Sequence, residues 1–149
     1  YTRLYTLSLH DALPIYTEQG TDALPDSPAL RAVKSRGGHI SFPPQRDGCE
    51  VSGDHGDDLQ DVLLTGRGRL HAIATVHIHP RPQPATPFTV VEVALDDGPL
   101  VRGLLSASQA LPLAPGAVLV TRLEEVPDES GGSVRDLRFV CATASTPKG

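Results

Sequence analysis

The chain has 149 residues, 39% hydrophobic and 21% charged, with a formal charge of −5; this is a globular composition, sized for one domain with at most a small appendage. Its longest apolar runs, such as Val90-Val91 and Ala117-Val118-Leu119-Val120, fall far short of the roughly 18 to 20 residues that a membrane helix needs. No Lys/Arg-rich stretch supplies the footprint of a nucleic-acid binder, and fourteen Gly and fourteen Pro with no Met or Trp argue against a helical bundle.

Two cysteines far apart, Cys49 and Cys141, do not make a disulfide framework, so a reducing cytoplasm is the expected setting. Residues 6–15 (Thr-Leu-Ser-Leu-His-Asp-Ala-Leu-Pro-Ile) can be written in codons as ACT CTT TCC CTA CAC GAC GCT CTT CCG ATC. That string resembles a sequencing-adapter oligonucleotide read in one frame. Residues 1–15 are therefore expected to be an artefact without structure, fused to a gene fragment whose natural start is missing, and His10 and Asp11 carry no functional weight. The plainer alternative is an amphipathic lead-in helix.

Residues 16–29 form a polar lead-in. Ser27-Pro28 followed by Ala29, Leu30, Ala32 and Val33 predicts a short helix over 27–34, with a Ser cap and Pro at its first position. The Gly- and Pro-rich stretch 37–53 predicts two tight turns around a very short hairpin. After an acidic patch of Asp54, Asp57, Asp58 and Asp61, strand-like runs take over. They are predicted at 61–64, 70–79, 88–95, 100–105, 117–126 and 134–142, with 65–69 a turn, 80–87 a proline-rich break and Asp96-Asp97-Gly98-Pro99 a hairpin turn. In the second run Leu70, Ala72, Ala74, Val76 and Ile78 alternate with His71, Ile73, Thr75, His77 and His79, which predicts one buried face. The expected fold is all-β: a small five-stranded Greek-key barrel of the OB type over 61–143, preceded by the short helix and by a hairpin segment over 30–60, with 144–149 a tail.

Several motifs then occur in order: Phe42-Pro43-Pro44, Cys49-Glu50-Val51-Ser52-Gly53, Gly66-Arg67-Gly68-Arg69-Leu70, Thr75-Val76-His77, Pro87-Phe88-Thr89-Val90-Val91-Glu92-Val93-Ala94-Leu95-Asp96-Asp97-Gly98, and Arg102. Their order and spacing resemble the acyl-CoA-associated DUF35 family, a rubredoxin-like zinc ribbon followed by an OB fold. The resemblance spans residues 30–142. It implies two C-x-x-C pairs supplying four thiolates to one zinc. Here the second pair is Cys49 and Ser52, and the first falls at Lys34 and Gly37, so Cys49 alone is retained. Zinc takes deprotonated thiolate or imidazole donors, and the ribbon is expected to have lost its metal. His39 and His55 are weak candidates to complete a site with Cys49, and solvated loop histidines are the plainer reading.

His71, His77 and His79 share a parity on one predicted strand. A rim-facing strand is favoured over a metal site, because the sequence fixes no fourth donor beside them. Gly66-Arg67-Gly68-Arg69 reads either as a phosphate-cradling loop or as a hairpin turn with solvated arginines. It lacks the ending of a P-loop. If coenzyme A binds, as the resemblance implies, Arg67, Arg69, Arg81 and Arg102 are the candidate contacts for its phosphates. No catalytic set emerges: Cys49 has no predicted base, Cys141 sits in an apolar run, and Asp96-Asp97 belong to a turn.

The resemblance thus implies a non-catalytic accessory subunit, with no required cofactor, that associates with a thiolase-like or hydratase-like acyl-CoA enzyme and helps to hold the thioester. Two other readings stand beside it. One is an OB barrel for single-stranded nucleic acid, which the negative charge and the sparse Phe42, Phe88 and Phe139 disfavour. The other is a decayed gene fragment without activity.

Overall fold

The computed structural model describes residues 15–142. The adapter-like residues up to 14 and the tail from 143 lie outside them. Eight strands are present: β1 (Leu30–Ser35), β2 (Ile40–Ser41), β3 (Leu59–Leu64), β4 (Arg67–Val76), β5 (Phe88–Leu95), β6 (Leu100–Leu104), β7 (Val118–Pro127) and β8 (Ser133–Cys141), with one 3₁₀ turn at Gly56–Asp58. They form a three-stranded sheet, β2-β1-β3, and a curled five-stranded sheet, β6-β5-β4-β7-β8.

The five-stranded sheet closes on itself. A parallel bridge joins Leu105, just past β6, to Phe139 of β8, and the Ser106 amide donates to the Phe139 carbonyl at 2.8 Å. Strand order and closure are those of an OB-type Greek key, as the alternation predicts. Val91, Val93, Val101, Leu119 and Phe139 are all fully buried inside it, each contributing about 1.5–3 kcal/mol of burial.

Several sequence expectations need correction. The helix predicted at 27–34 is strand β1. Six consecutive residues, Leu30 to Ser35, pair antiparallel with β3, and that pairing overrides a weak local helix preference. Ser27 and Pro28 cap nothing; instead the Pro28 carbonyl accepts a buried hydrogen bond of 2.7 Å from the Thr121 hydroxyl. Residues 61–64, assigned from sequence to the barrel, belong to β3 and hence to the small sheet. That sheet turns Leu30, Ala32 and Leu64 inward, so it shares one apolar core with the barrel. Ile15, at the end of the segment set aside from sequence, packs against this core, and its carbonyl accepts the Arg31 amide at 2.8 Å.

The predicted turn at 65–69 is shorter than expected, because β4 already begins at Arg67. Here β4 is paired on both sides: Gly68 faces Leu95 of β5 and Leu119 of β7. A methyl group on Gly68 would stand 2.3 Å from the Ala94 carbonyl oxygen, and one on Gly66 would stand 1.9 Å from the Thr121 hydroxyl oxygen. Close packing requires these two glycines, against the Ala94 backbone at Gly68 and against the Thr121 side chain and the Pro28 carbonyl at Gly66. Gly68→Ala is expected to destabilise the protein by about 2 kcal/mol, as overpacking does, read as a lower urea midpoint with unchanged slope. Gly37→Ala, where a Cβ would meet neighbours at no less than 3.4 Å, is expected to move the midpoint much less.

Candidate functional site

The end of the molecule formed by residues 34–55 brings together most of the positions expected from sequence. Gly37 lies beside Ser52: a Cβ on Gly37 would be 3.4 Å from the Ser52 Cβ and 3.8 Å from the Ser35 hydroxyl oxygen. Lys34 points to solvent, and its neighbour Ser35 is buried on this side instead, one residue away from the position that motif spacing gives. Cys49 is buried. Its sulfur accepts the Ser52 amide at 3.4 Å. Hydrogen bonds from Ser52, helped by the Val51 amide, hold its thiol below the usual pKa.

Asp54 organises the cluster. Its Oδ2 accepts the Gly37 amide at 3.0 Å and the Ser52 hydroxyl at 2.8 Å, so one carboxylate ties the first turn to the second. The same residue's carbonyl accepts the Cys49 amide at 2.8 Å. These donors do not fit a zinc ion. Three of the converging positions carry two hydroxyls and a glycine, and the nearby carboxylate oxygen is already engaged by N–H and O–H donors. His55 contacts the Gly53 carbonyl at 3.3 Å, and His39 is half-buried after β1; among the described residues no three His, Cys, Asp or Glu side chains converge on a metal position. The acidic patch is partly matched by arginine, with Asp58 3.3 Å from Arg36 and Asp61 2.9 Å from Arg46.

The outer face of the barrel carries the arginines. Arg67 lies 3.9 Å from Asp96, Arg69 donates to the Gly116 carbonyl at 3.3 Å, and Arg102 pairs with Glu92, its cross-strand neighbour. All three alternate with inward-facing residues of β4 and β6 and so project outward. Arg81 is exposed on the proline-rich loop. The four are spread over this face and do not gather around one cavity.

The strand predicted to reach His79 ends at Val76, and a bulge between Leu70 and Ala72 shifts its register. The shift breaks the parity shared by Leu70 and Ala72, so Ala72 and Ala74 are exposed and the predicted buried stripe stops at Leu70. His71 and His77 are exposed as well. His79 packs edge-on against Phe88, with ring centroids 5.3 Å apart. Beyond the bulge β4 pairs with β5 alone, since its ladder to β7 covers only Arg67 to Arg69. Past the bulge the β4 edge turned away from β5 therefore pairs with no strand among the described residues, while β5 stays paired with β6 as far as Val90. This stretch of β4 exposes Ile73, and just past its end Ile78 is 91% exposed.

Sequence reasoning missed two polar clusters. Ser106 donates to Glu124, and Arg122 binds both Glu124, with its Nε at 3.1 Å, and the hydroxyls of Ser106 and Ser108, each at 3.1 Å. Burial alone would raise the Glu124 pKa, but hydrogen bonds from Ser106 and Arg122 outweigh it and hold the carboxyl below its usual value. Glu124 is thus fixed as an anion beside its cation, a poor base for Ser106, and the cluster ties the β6–β7 connection to β7. On β8 Asp136 and Arg138 form a buried ion pair. Spacing of two residues on a strand, the only trace of it in the sequence, is equally typical of a solvated face. Phe42 and Phe139 are buried, so they offer no stacking surface of the kind that single-stranded nucleic acid uses.

No family model matches this sequence, and no curated protein does. Among solved structures, a chain of the "Ltp2-ChsH2(DUF35) aldolase" superposes with a TM-score of 0.54 at 20% identity, over 74% of this chain and 84% of that one. The two share a fold. The likeness takes in the all-β architecture expected from the motifs. Among the described residues no helix is long and apolar enough to cross a membrane.

Hydrogen bonds from Ser52 and then Gly37 hold the Asp54 carboxyl below its ordinary value. A depressed folded-state pKa stabilises fully above the unfolded value, about 3.9 for Asp, and is lost as pH falls through the folded value. Asp54→Ala is therefore expected to lower Tm at pH 7, with the gap from the parent protein closing progressively below about pH 4. Addition of EDTA is expected to leave both melting curves in place; a drop in the parent's Tm on chelation would show that a metal holds the ribbon.

Proposed function

We propose that this protein is a non-catalytic accessory subunit that docks onto a thiolase-like or hydratase-like acyl-CoA enzyme and helps to hold its substrate. The observation that carries the reading is the unpaired edge of β4 past the bulge, with Ile73 and Ile78 on it or just beyond it. Such an edge is a template for pairing with another chain. The shared fold with the DUF35 chain of an aldolase whose name joins two components supports it, as does the lack, among the described residues, of any serine or cysteine side chain hydrogen-bonded to a histidine ring.

The adjoining loop of residues 80–87 carries four prolines and loses little freedom on docking. In this reading Arg67, Arg69, Arg81 and Arg102 face the phosphates of the coenzyme. The exposed pair of Arg67 with Asp96 is no obstacle, since it contributes only about 0–1 kcal/mol and exchanges readily for a phosphate.

Size-exclusion chromatography with a purified thiolase-like enzyme encoded beside this gene tests the reading. A co-eluting complex is expected, weakened at least about tenfold by Ile73→Asp with Ile78→Asp, which removes more than 1.4 kcal/mol of contact. A folded, soluble protein that forms no complex with that enzyme would sink the proposal for it. Retention on single-stranded DNA at moderate salt would favour the nucleic-acid reading instead.

A further inference from the structure

From His71 to Ile78 the chain carries no Asp, Glu, Lys or Arg, and no proline or glycine. Residues 71–75 of β4 are all exposed, Ile73 at 43%. Just upstream the outer edge of the strand is occupied: the Leu70 amide donates to the Ala117 carbonyl at 2.8 Å, and the Leu70 carbonyl accepts the Gly116 amide at 3.2 Å. Past the bulge the same edge has no strand beside it among the described residues. Edge strands are ordinarily guarded by lysines, prolines or inward-pointing charges, and none stands on this stretch.

A second copy of the chain supplies a strand that matches it. Turned about a two-fold axis that passes through Ile73 perpendicular to the sheet, the copy's β4 runs antiparallel to the first. Ile73 then lies opposite its own counterpart, Ala72 opposite Ala74 and His71 opposite Thr75. Residues directly opposite one another share one side of a sheet, so this register leaves the core-facing sides of both sheets the same. Each contact occurs twice, as a two-fold interface requires. Apolar or small side chains meet their like, and no like charges are opposed although each chain carries −5 overall. The ladder also ends where it must: β4 stops at Val76, which comes opposite Leu70, where Gly116 and Ala117 already take the edge. A strand bearing carboxylates or ammonium groups would instead set them against Ile73 and the alanines.

We propose that the free protein pairs with a second copy of itself through residues 71–75 of β4, joining two β4–β5–β6 meanders into one continuous sheet. The edge is the one that the accessory-subunit reading gives to the enzyme, but the inference does not rest on that reading. One edge holds one strand, so a copy and an enzyme docked there exclude each other. A ladder this short buries less than the roughly 1,200 Å² of a standard interface, and the dimer is correspondingly weak.

Sedimentation velocity of the full chain between about 1 µM and about 1 mM, the range in which weak complexes assemble, tests it. A shift from monomer to dimer with no larger species is expected, with slower amide exchange at residues 71–75 in the concentrated sample. Ile73→Lys sets two lysines against each other at the axis and is expected to weaken the dimer at least about tenfold. Thr75→Lys, which places a lysine beside His71 of the copy, is expected to act in the same direction and decides the matter if Ile73→Lys does not fold. Leu111→Lys, at an exposed position on the connector after β6, is expected to leave the dimer unchanged. The inference is overturned by a monomer at every concentration, by species that grow beyond the dimer, by an undiminished dimer in the folded β4 variants, by equal weakening in Leu111→Lys, or by unchanged exchange at residues 71–75. A monomer that still binds the enzyme would sink this inference and leave the accessory-subunit reading standing, and a dimer that ignores the enzyme would do the reverse.

Discussion

Everything in this molecule depends on one stretch of β4 being hydrogen-bonded on both edges. At Arg67, Gly68 and Arg69 the strand is shared between β5 and β7, and this shared stretch joins the β4–β5–β6 meander to the β7–β8 hairpin. Curling two ladders onto so short a segment brings backbone against backbone, which is why a residue without a side chain stands at its centre. The second ladder ends before the bulge, and past it the strand becomes the free edge of the β4–β5–β6 meander. Core and candidate docking edge are thus two halves of one strand, separated by a single register shift.

The three-stranded sheet is held by different means. It borrows its apolar contacts from the barrel through Leu30, Ala32 and Leu64, and Thr121 reaches out of the barrel to the Pro28 carbonyl. At its far end, hydrogen bonds to one carboxylate connect the two turns. A carboxylate that accepts two donors constrains turn geometry much as a shared metal does, though each bond is individually weak and the ensemble depends on ionisation. With part of its interior supplied by the barrel, so small a sheet needs less from its own turns.

The barrel was legible because its strands obey simple rules. Alternating valines in β5 set its limits at Phe88 and Leu95, and Asp96-Asp97-Gly98-Pro99 marks its turn. Three things were not legible. The six residues of β1 carry both a helix-start signal and a strand pattern, and only the partner strand, some thirty positions away, decides between them. The bulge after Leu70 has no local signature, so alternation alone predicts a strand through to His79. Asp54 read as one member of an acidic patch because its partners, Gly37 and Ser52, meet only after the chain folds. Residues whose role depends on distant contacts escape pattern reading, whereas residues that repeat a period do not.

The loop between β7 and β8 has a consequence for assembly. Asp128 Oδ1 accepts the Ser130 amide at 3.0 Å, the Ser130 hydroxyl at 2.8 Å and the Gly132 amide at 2.8 Å, and the strands it joins are paired without a break from Pro127–Ser133 to Leu119–Cys141. This hairpin is local and self-templated, so its loop closes with little entropic penalty. The hairpin therefore reaches the β4–β5–β6 meander as a unit held by its own contacts, meeting β4 through β7 and the segment after β6 through β8.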